Sequence, residues 1–214
     1  MSKKFVLFLL CVWSFVCCAQ CDMEIKKERK IYLWDVTLSM QGHGGDNIWD
    51  KVKNQLISDI KKITDPCTEI WVVPFQHKVI DKKCVVGSAD GKNEVIEYIK
   101  DYQLPRLWIG DEKTGHEAGT GENGSTTMTK LYAPLQECIE TIINQDKTNI
   151  LVFMTDGKSD FSDDQKSFEE YINNDWCAEA LNKDVYAFYL MLTKKATEIN
   201  IKRSCERFKL RWVL

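Results

Sequence analysis

From position 30 onward the chain alternates short apolar runs with longer amphipathic stretches, the rhythm of an α/β domain. The run "KIYLWDV" (30–36) reads as a first strand. In "DNIWDKVKNQLISDIKKI" (46–63), Ile48, Val52, Leu56, Ile60 and Ile63 recur at spacings of three and four, which predicts a helix capped by Asp46 or Asn47. Only "QH" separates "TEIWVVPF" (68–75) from "KVIDKKCVV" (78–86). That is too little chain for a helical crossover, so the two form an antiparallel hairpin. Pro74 lacks an amide and must face an unpaired edge or a bulge. A short helix follows at "KNEVIEYIKDY" (92–102).

Positions 103–128 are rich in Gly and polar residues and are long for a loop inside a compact domain, a length associated with function or disorder. The helical pattern resumes in "TKLYAPLQECIETII" (129–143), with Leu131, Leu135, Cys138, Ile139 and Ile142 on one side. "NILVFMTDG" (149–157) is apolar enough for a strand buried on both faces. A helix over 163–182, a strand over 184–192, a weak helix over 194–208 and a strand over 209–214 complete the chain. The expected fold is a doubly wound, mostly parallel, Rossmann-like α/β sheet with one antiparallel edge strand, a single domain over 30–214.

Ahead of it, residues 1–19 have the form of a secretory signal peptide: Lys3 and Lys4, an apolar run from Phe5 to Val16, then Cys17 and Ala19 in a small-x-small exit. Residues 20–29 form a charged lead. The apolar run is short for a membrane span, so no transmembrane span is expected in the mature form. The mature chain is then exported, to a periplasm, a cell surface or the medium. A lipid anchor is the weaker alternative, because Cys21 follows Gln20 and Cys18 follows Cys17, neither of them the small residue that lipidation requires.

Loss of two lysines from 29 basic residues, against 32 acidic ones, leaves the mature chain with about five negative charges. With no basic stripe, binding to nucleic acid has little electrostatic support. Of nine cysteines, Cys21, Cys67, Cys84, Cys138, Cys177 and Cys205 remain after cleavage, and six in an exported chain predict disulfides. Cys67 with Cys84 and Cys177 with Cys205 are close enough in sequence to propose as pairs. Cys138 sits on the apolar side of its helix, where a buried thiol fits. No C-x-x-C spacing supports a zinc or redox site.

Two predicted strands end in polar chemistry. The first ends at Asp35 with Thr37 and Ser39 at alternate positions, which places three oxygen-bearing side chains on one side of an extended chain. The other ends at Asp156-Gly157. In open α/β sheets ligands sit beyond the carboxyl ends of strands where strand order reverses. The alternatives are local: an Asp capping the next helix beside hydroxyls that satisfy a turn, and an Asp-Gly tight turn.

With these residues in place the chain resembles the von Willebrand factor type A family and its metal-ion-dependent adhesion site. "DVTLSM" matches the Asp-x-Ser-x-Ser pattern with Thr37 in place of the first Ser, and "MTDG" matches the later Asp-Gly. "TKLYAPL" nominates Thr129 as the intervening threonine, while "GST" nominates Thr126 as its alternative. The resemblance implies that Asp35, Thr37, Ser39, Thr129 and Asp156 surround a divalent cation. An oxygen-only donor set of this kind suits Mg²⁺, with Mn²⁺ or Ca²⁺ as substitutes. It also implies an open coordination position filled by an acidic residue of a protein partner, a role in binding or adhesion, and no catalysis.

Two rivals stand beside this reading. One is a non-catalytic structural or assembly module of the same fold acting through other surfaces, with Trp108 and Ile109 as a contact patch. The other is a Mg²⁺-dependent phosphohydrolase, which needs a second Asp where Thr37 stands. A serine hydrolase is excluded by the lack of a Gly-x-Ser-x-Gly elbow, and only His43, His77 and His116 offer imidazole bases.

Overall fold

A computed structural model describes residues 27–40, 47–103, 129–157, 159–192, 200–201 and 205–212. Six strands are formed in chain order: β1 (Glu28–Asp35), β2 (Glu69–Phe75), β3 (Lys83–Val86), β4 (Thr148–Thr155), β5 (Val185–Met191) and β6 (Phe208–Trp212). They make one sheet in the order β3-β2-β1-β4-β5-β6. Every neighbouring pair is parallel except β2 with the edge strand β3. The expected fold class is therefore the observed one. Strand order reverses at β1, whose carboxyl end lies beside that of β4.

Alternation along the strands feeds two cores. Ile31 and Leu33 of β1, Leu151 and Phe153 of β4, and Ala187 and Tyr189 of β5 join one core. Against it pack α3 (Tyr132–Thr141), α4 (Ser162–Asn174) and α5 (Trp176–Asn182). Tyr32 and Trp34 face the other side, where α1 (Trp49–Lys61) and α2 (Ala89–Asp101) bring Val52, Leu56, Ile60, Val95 and Ile99. Trp34 stacks on Trp49 with ring centroids 5.0 Å apart, closing this core beneath the end of β1.

Side-chain oxygens meet the first amides of two helices. Ser88 accepts from the amide of Gly91 at the start of α2, which begins three residues before the predicted boundary. Asn47 Oδ1 accepts from the amide of Trp49 at the start of α1. β1 begins at Glu28, inside the expected lead, and its neighbour Arg29 is almost fully buried. Its guanidinium donates to Glu69 at 2.7 Å, to the carbonyl of Ile142 at 2.7 Å and to Asn144 at 2.7 Å, and Lys147 pairs with the same Glu69. Burial alone would raise the Glu69 pKa; Lys147, Arg29 and Trp71 outweigh it and hold the carboxyl at about 2.

Several local expectations are corrected. The second hairpin strand is short: β3 spans only Lys83–Val86, with Val79 making an isolated bridge to Phe75. Pro74 lies in an inner strand, but at a position that β3 does not pair, so the expectation of an unpaired side holds. Its carbonyl takes the amide of Ile80, so its amide-less nitrogen faces the side where β3 pairing has already stopped at Val72. The expected helix over 163–182 is two helices broken at Asp175, after two asparagines with low helix propensity, and the break lets Trp176 bury against Phe208. Cys205 to Arg207 form a turn instead of helix and lead into β6.

Cys177 and Cys205 are disulfide-bonded, with Cα atoms 6.1 Å apart, and Cys138 is a buried free thiol. The expected Cys67–Cys84 pair is not formed. Cys84 is free and exposed, and Cys67 is bonded to a partner outside the described residues. Register explains this: Glu69 opposes Val86, which sets Cys67 across from Ser88, four residues past Cys84. That is roughly 13 Å along the strand, well beyond disulfide reach. No helix of the described residues is long and apolar enough to cross a membrane. The segments 1–26, 41–46 and 104–128, with His43, Trp108, Ile109, His116 and Thr126, lie outside the described residues.

Candidate functional site

At the strand reversal, β1 delivers Asp35 with no solvent exposure, and a short 3-10 turn (Leu38–Met40) follows. The turn folds the alternate oxygens inward. Thr37 donates to Asp35 Oδ1 from its amide at 2.9 Å and from its hydroxyl at 2.7 Å, and Thr37 Oγ1 lies 2.8 Å from Ser39 Oγ. From the far side of the site, Thr129 Oγ1 comes within 3.4 Å of Asp35 Oδ2 and 3.3 Å of Thr37 Oγ1. Four of the five residues predicted from sequence are thus hydrogen-bonded to one another.

Asp156, the fifth, follows directly on β4 and is nearly buried. Its charge reaches Asp35: burial first, then the Asp156 carboxylate, push the Asp35 pKa up to about 7, against hydrogen bonds from Thr155 and Thr37 that favour ionisation. Among the described residues no Lys, Arg or His pairs with Asp35, whose partners are the threonines alone. The donor set consists of hydroxyl and carboxylate oxygens only, and no cluster of three or more His, Cys, Asp or Glu occurs among the described residues. A fully buried carboxylate ringed by hydroxyls, with a second carboxylate close enough to raise its pKa, fits a hard divalent cation.

Sequence reasoning missed the support around these donors. Thr155 is fully buried and donates to Asp35 Oδ2 at 2.7 Å, because the β1–β4 register sets it beside Asp35. Tyr189 donates its hydroxyl to the carbonyl of Gly157, and burial with the charges of Asp35 and Asp156 keeps that phenol protonated. Ser159, Asp160 and Asp164 bond to the segment carrying Thr129. The alternation of Phe153 and Thr155 was the only signal for Thr155; the others carry none. His77 is half-buried beyond the end of β2, and burial with nearby Lys78 and Lys130 lowers its pKa.

No family model and no curated protein matches the sequence. Solved structures do match the fold. The SpRpn10 VWA domain is 10% identical with a TM-score of 0.50, over 88% of each chain. The fold is of the von Willebrand factor A type. The PilB minor pilin from Streptococcus sanguinis aligns at a TM-score of 0.58 and 10% identity over 89% of this chain. Proximal thread matrix protein 1 from the mussel byssus aligns at 0.56 and 17% identity over 87% of this chain. This chain spans 58% of the pilin and 44% of the byssus protein.

Proposed function

We propose that this chain is an exported, non-catalytic binding module of von Willebrand A fold. In this reading Asp35, Thr37, Ser39, Thr129 and Asp156 hold a divalent cation, Mg²⁺ with Mn²⁺ or Ca²⁺ as substitutes, and an acidic residue of a protein partner completes the site. The observation that carries the reading is the convergence of the buried Asp35 carboxylate, with Asp156 close enough to raise its pKa, and the hydroxyls of Thr37, Ser39 and Thr129. A bound cation would supply an electrostatic bridge there. The residues of the chain would hold it, keep water from its inner side and leave the outer side to the partner.

A phosphohydrolase nucleophile is poorly matched by Asp35, which has no exposed surface and has both oxygens engaged by threonine hydroxyls. The Cys177–Cys205 disulfide supports passage through an oxidising compartment. Equilibrium dialysis and calorimetry with Mg²⁺ and Mn²⁺ on chelator-treated protein test the proposal. One ion per chain is expected, with uptake lost in folded Asp35→Ala and Thr129→Ala variants. A folded wild type that takes up neither ion would leave the assembly-module reading in its place.

A further inference from the structure

Thr129 lies outside α3, three residues before its first turn, so helical geometry does not fix it. Both of its backbone groups are instead bonded to the segment that leaves β4. The carboxylate of Asp160 accepts from the amide of Thr129 at 2.7 Å. The amide of Asp160 and the hydroxyl of Ser159 donate to the carbonyl of Thr129 at 2.9 and 3.1 Å. A turn further on, the carboxylate of Asp164 accepts from the amides of Leu131 at 2.7 Å, Tyr132 at 3.1 Å and Ala133 at 3.3 Å. These are the orphan donors at the positive end of α3, where an anion is stabilised. Against this clamp, the side chain of Thr129 touches Asp35 and Thr37 only at the outer limit of hydrogen bonding.

We infer that Asp160, supported by Ser159 and Asp164, is a positioning residue that holds the Thr129 hydroxyl at the metal site. The donor set would then consist of two bodies. Asp35, Thr37 and Ser39 belong to the end of β1; Asp156 and Thr129 both belong to the segment after β4, the first covalently and the second through the clamp. The inference rests on the metal reading above. It assigns weight to three residues that touch no ion, because an outer partner that orients a ligand typically accounts for about 10–100-fold in metal affinity.

The test uses Asp160→Ala, Asp160→Asn and Asp164→Ala beside Thr129→Ala, with Mn²⁺ uptake and Eu³⁺ luminescence hydration as probes. In Asp160→Ala, Mn²⁺ affinity should fall about 10–100-fold, and the Eu³⁺ water count should rise by about one, as in Thr129→Ala, because water replaces the lost hydroxyl. Asp160→Asn keeps an acceptor oxygen and should recover most of both. Arg29→Met, at the far end of the sheet, should alter neither at temperatures where it is folded. Wild-type affinity and hydration in folded Asp160→Ala would overturn the inference. If Asp160→Ala does not fold, Asp164→Ala and Asp160→Asn are read on the same two quantities. If the wild type takes up neither ion, the metal reading fails, and amide exchange at Thr129 then decides the clamp: about tenfold faster exchange in the Asp160 and Asp164 variants keeps it, and unchanged exchange overturns it.

Discussion

Replacing Thr155 by valine removes one hydroxyl from the floor of the site while keeping the shape of the side chain. Thr155 Oγ1 donates at 2.7 Å to Asp35 Oδ2, and neither residue has exposed surface. In metal-free protein, burial and Asp156 raise the Asp35 pKa from 3.8 to about 7. A carboxyl whose folded pKa lies above its unfolded value penalises folding as pH rises between the two. The penalty is absent below the unfolded value and complete above the folded one. A hydrogen bond contributes about 1.5–3 kcal/mol to an ionised group and about 0.5–1.5 kcal/mol to a neutral one, so its loss should raise the Asp35 pKa by about one further unit. Urea unfolding of Thr155→Val against wild type, in chelator, should then show about 1.5–3 kcal/mol lost at pH 9. At pH 5, where Asp35 is protonated, the lost bond is neutral and the deficit should be about 0.5–1.5 kcal/mol. The weaker bond from the amide of Gly157 to the same hydroxyl, at 3.4 Å, is lost equally at both values. A deficit of the same size at pH 5 and pH 9 would refute the assignment of Thr155 as a donor to an ionising Asp35.

At the other end of the sheet, Arg29→Met leaves Glu69 with Lys147 and the weaker bond from Trp71, and should cost about 3–5 kcal/mol at pH 7 by urea unfolding. Because the folded Glu69 pKa is depressed to about 2, its contribution is present above about pH 4.5 and is lost toward pH 2, so the wild type and this variant should converge in acid. Opening the Cys177–Cys205 bridge, which spans 28 residues, by paired serine substitutions should cost about 3–4 kcal/mol on loop entropy. A thiol reagent should label exposed Cys84 in the native protein and buried Cys138 only after unfolding, as read by mass spectrometry. Mn²⁺ at about 100 times its dissociation constant should stabilise the fold by about 2.7 kcal/mol, which raises Tm by about 5–10 °C. Chelator or Asp35→Ala should abolish that rise.

Much of the architecture is legible in residue order. The spacing of Val52, Leu56 and Ile60 predicts α1, and those side chains are buried where the pattern puts them. The two-residue gap after Phe75 predicts an antiparallel partner, and β3 is the antiparallel edge strand. Boundaries were less legible, since they depend on caps and pairing partners. Ser88 extends α2 toward its N-terminus, and the pairing of Glu28 with Thr148 extends β1 into the charged lead. The break at Asp175 escapes periodicity because Tyr171 and Trp176 both belong to the buried side, and only the position of Phe208 shows why the helix is interrupted between them.

The same division runs through the site. Alternation along an extended chain is local, so Asp35, Thr37 and Ser39 could be grouped from sequence, and a strand-ending Asp marks Asp156 in the same way. Which hydroxyl crosses from a distant segment is not local: Thr129 meets Asp35 across 94 residues, through contacts that the segment 159–164 makes with the start of α3. The support from Thr155 exists only through the register of β1 on β4, and the failure of Cys84 to meet Cys67 follows from the register of β2 on β3. Periodicity and strand-end chemistry are written in neighbouring residues and survive in one dimension. Register, clamps and the approach of one buried carboxylate to another arise only when separate segments are packed together.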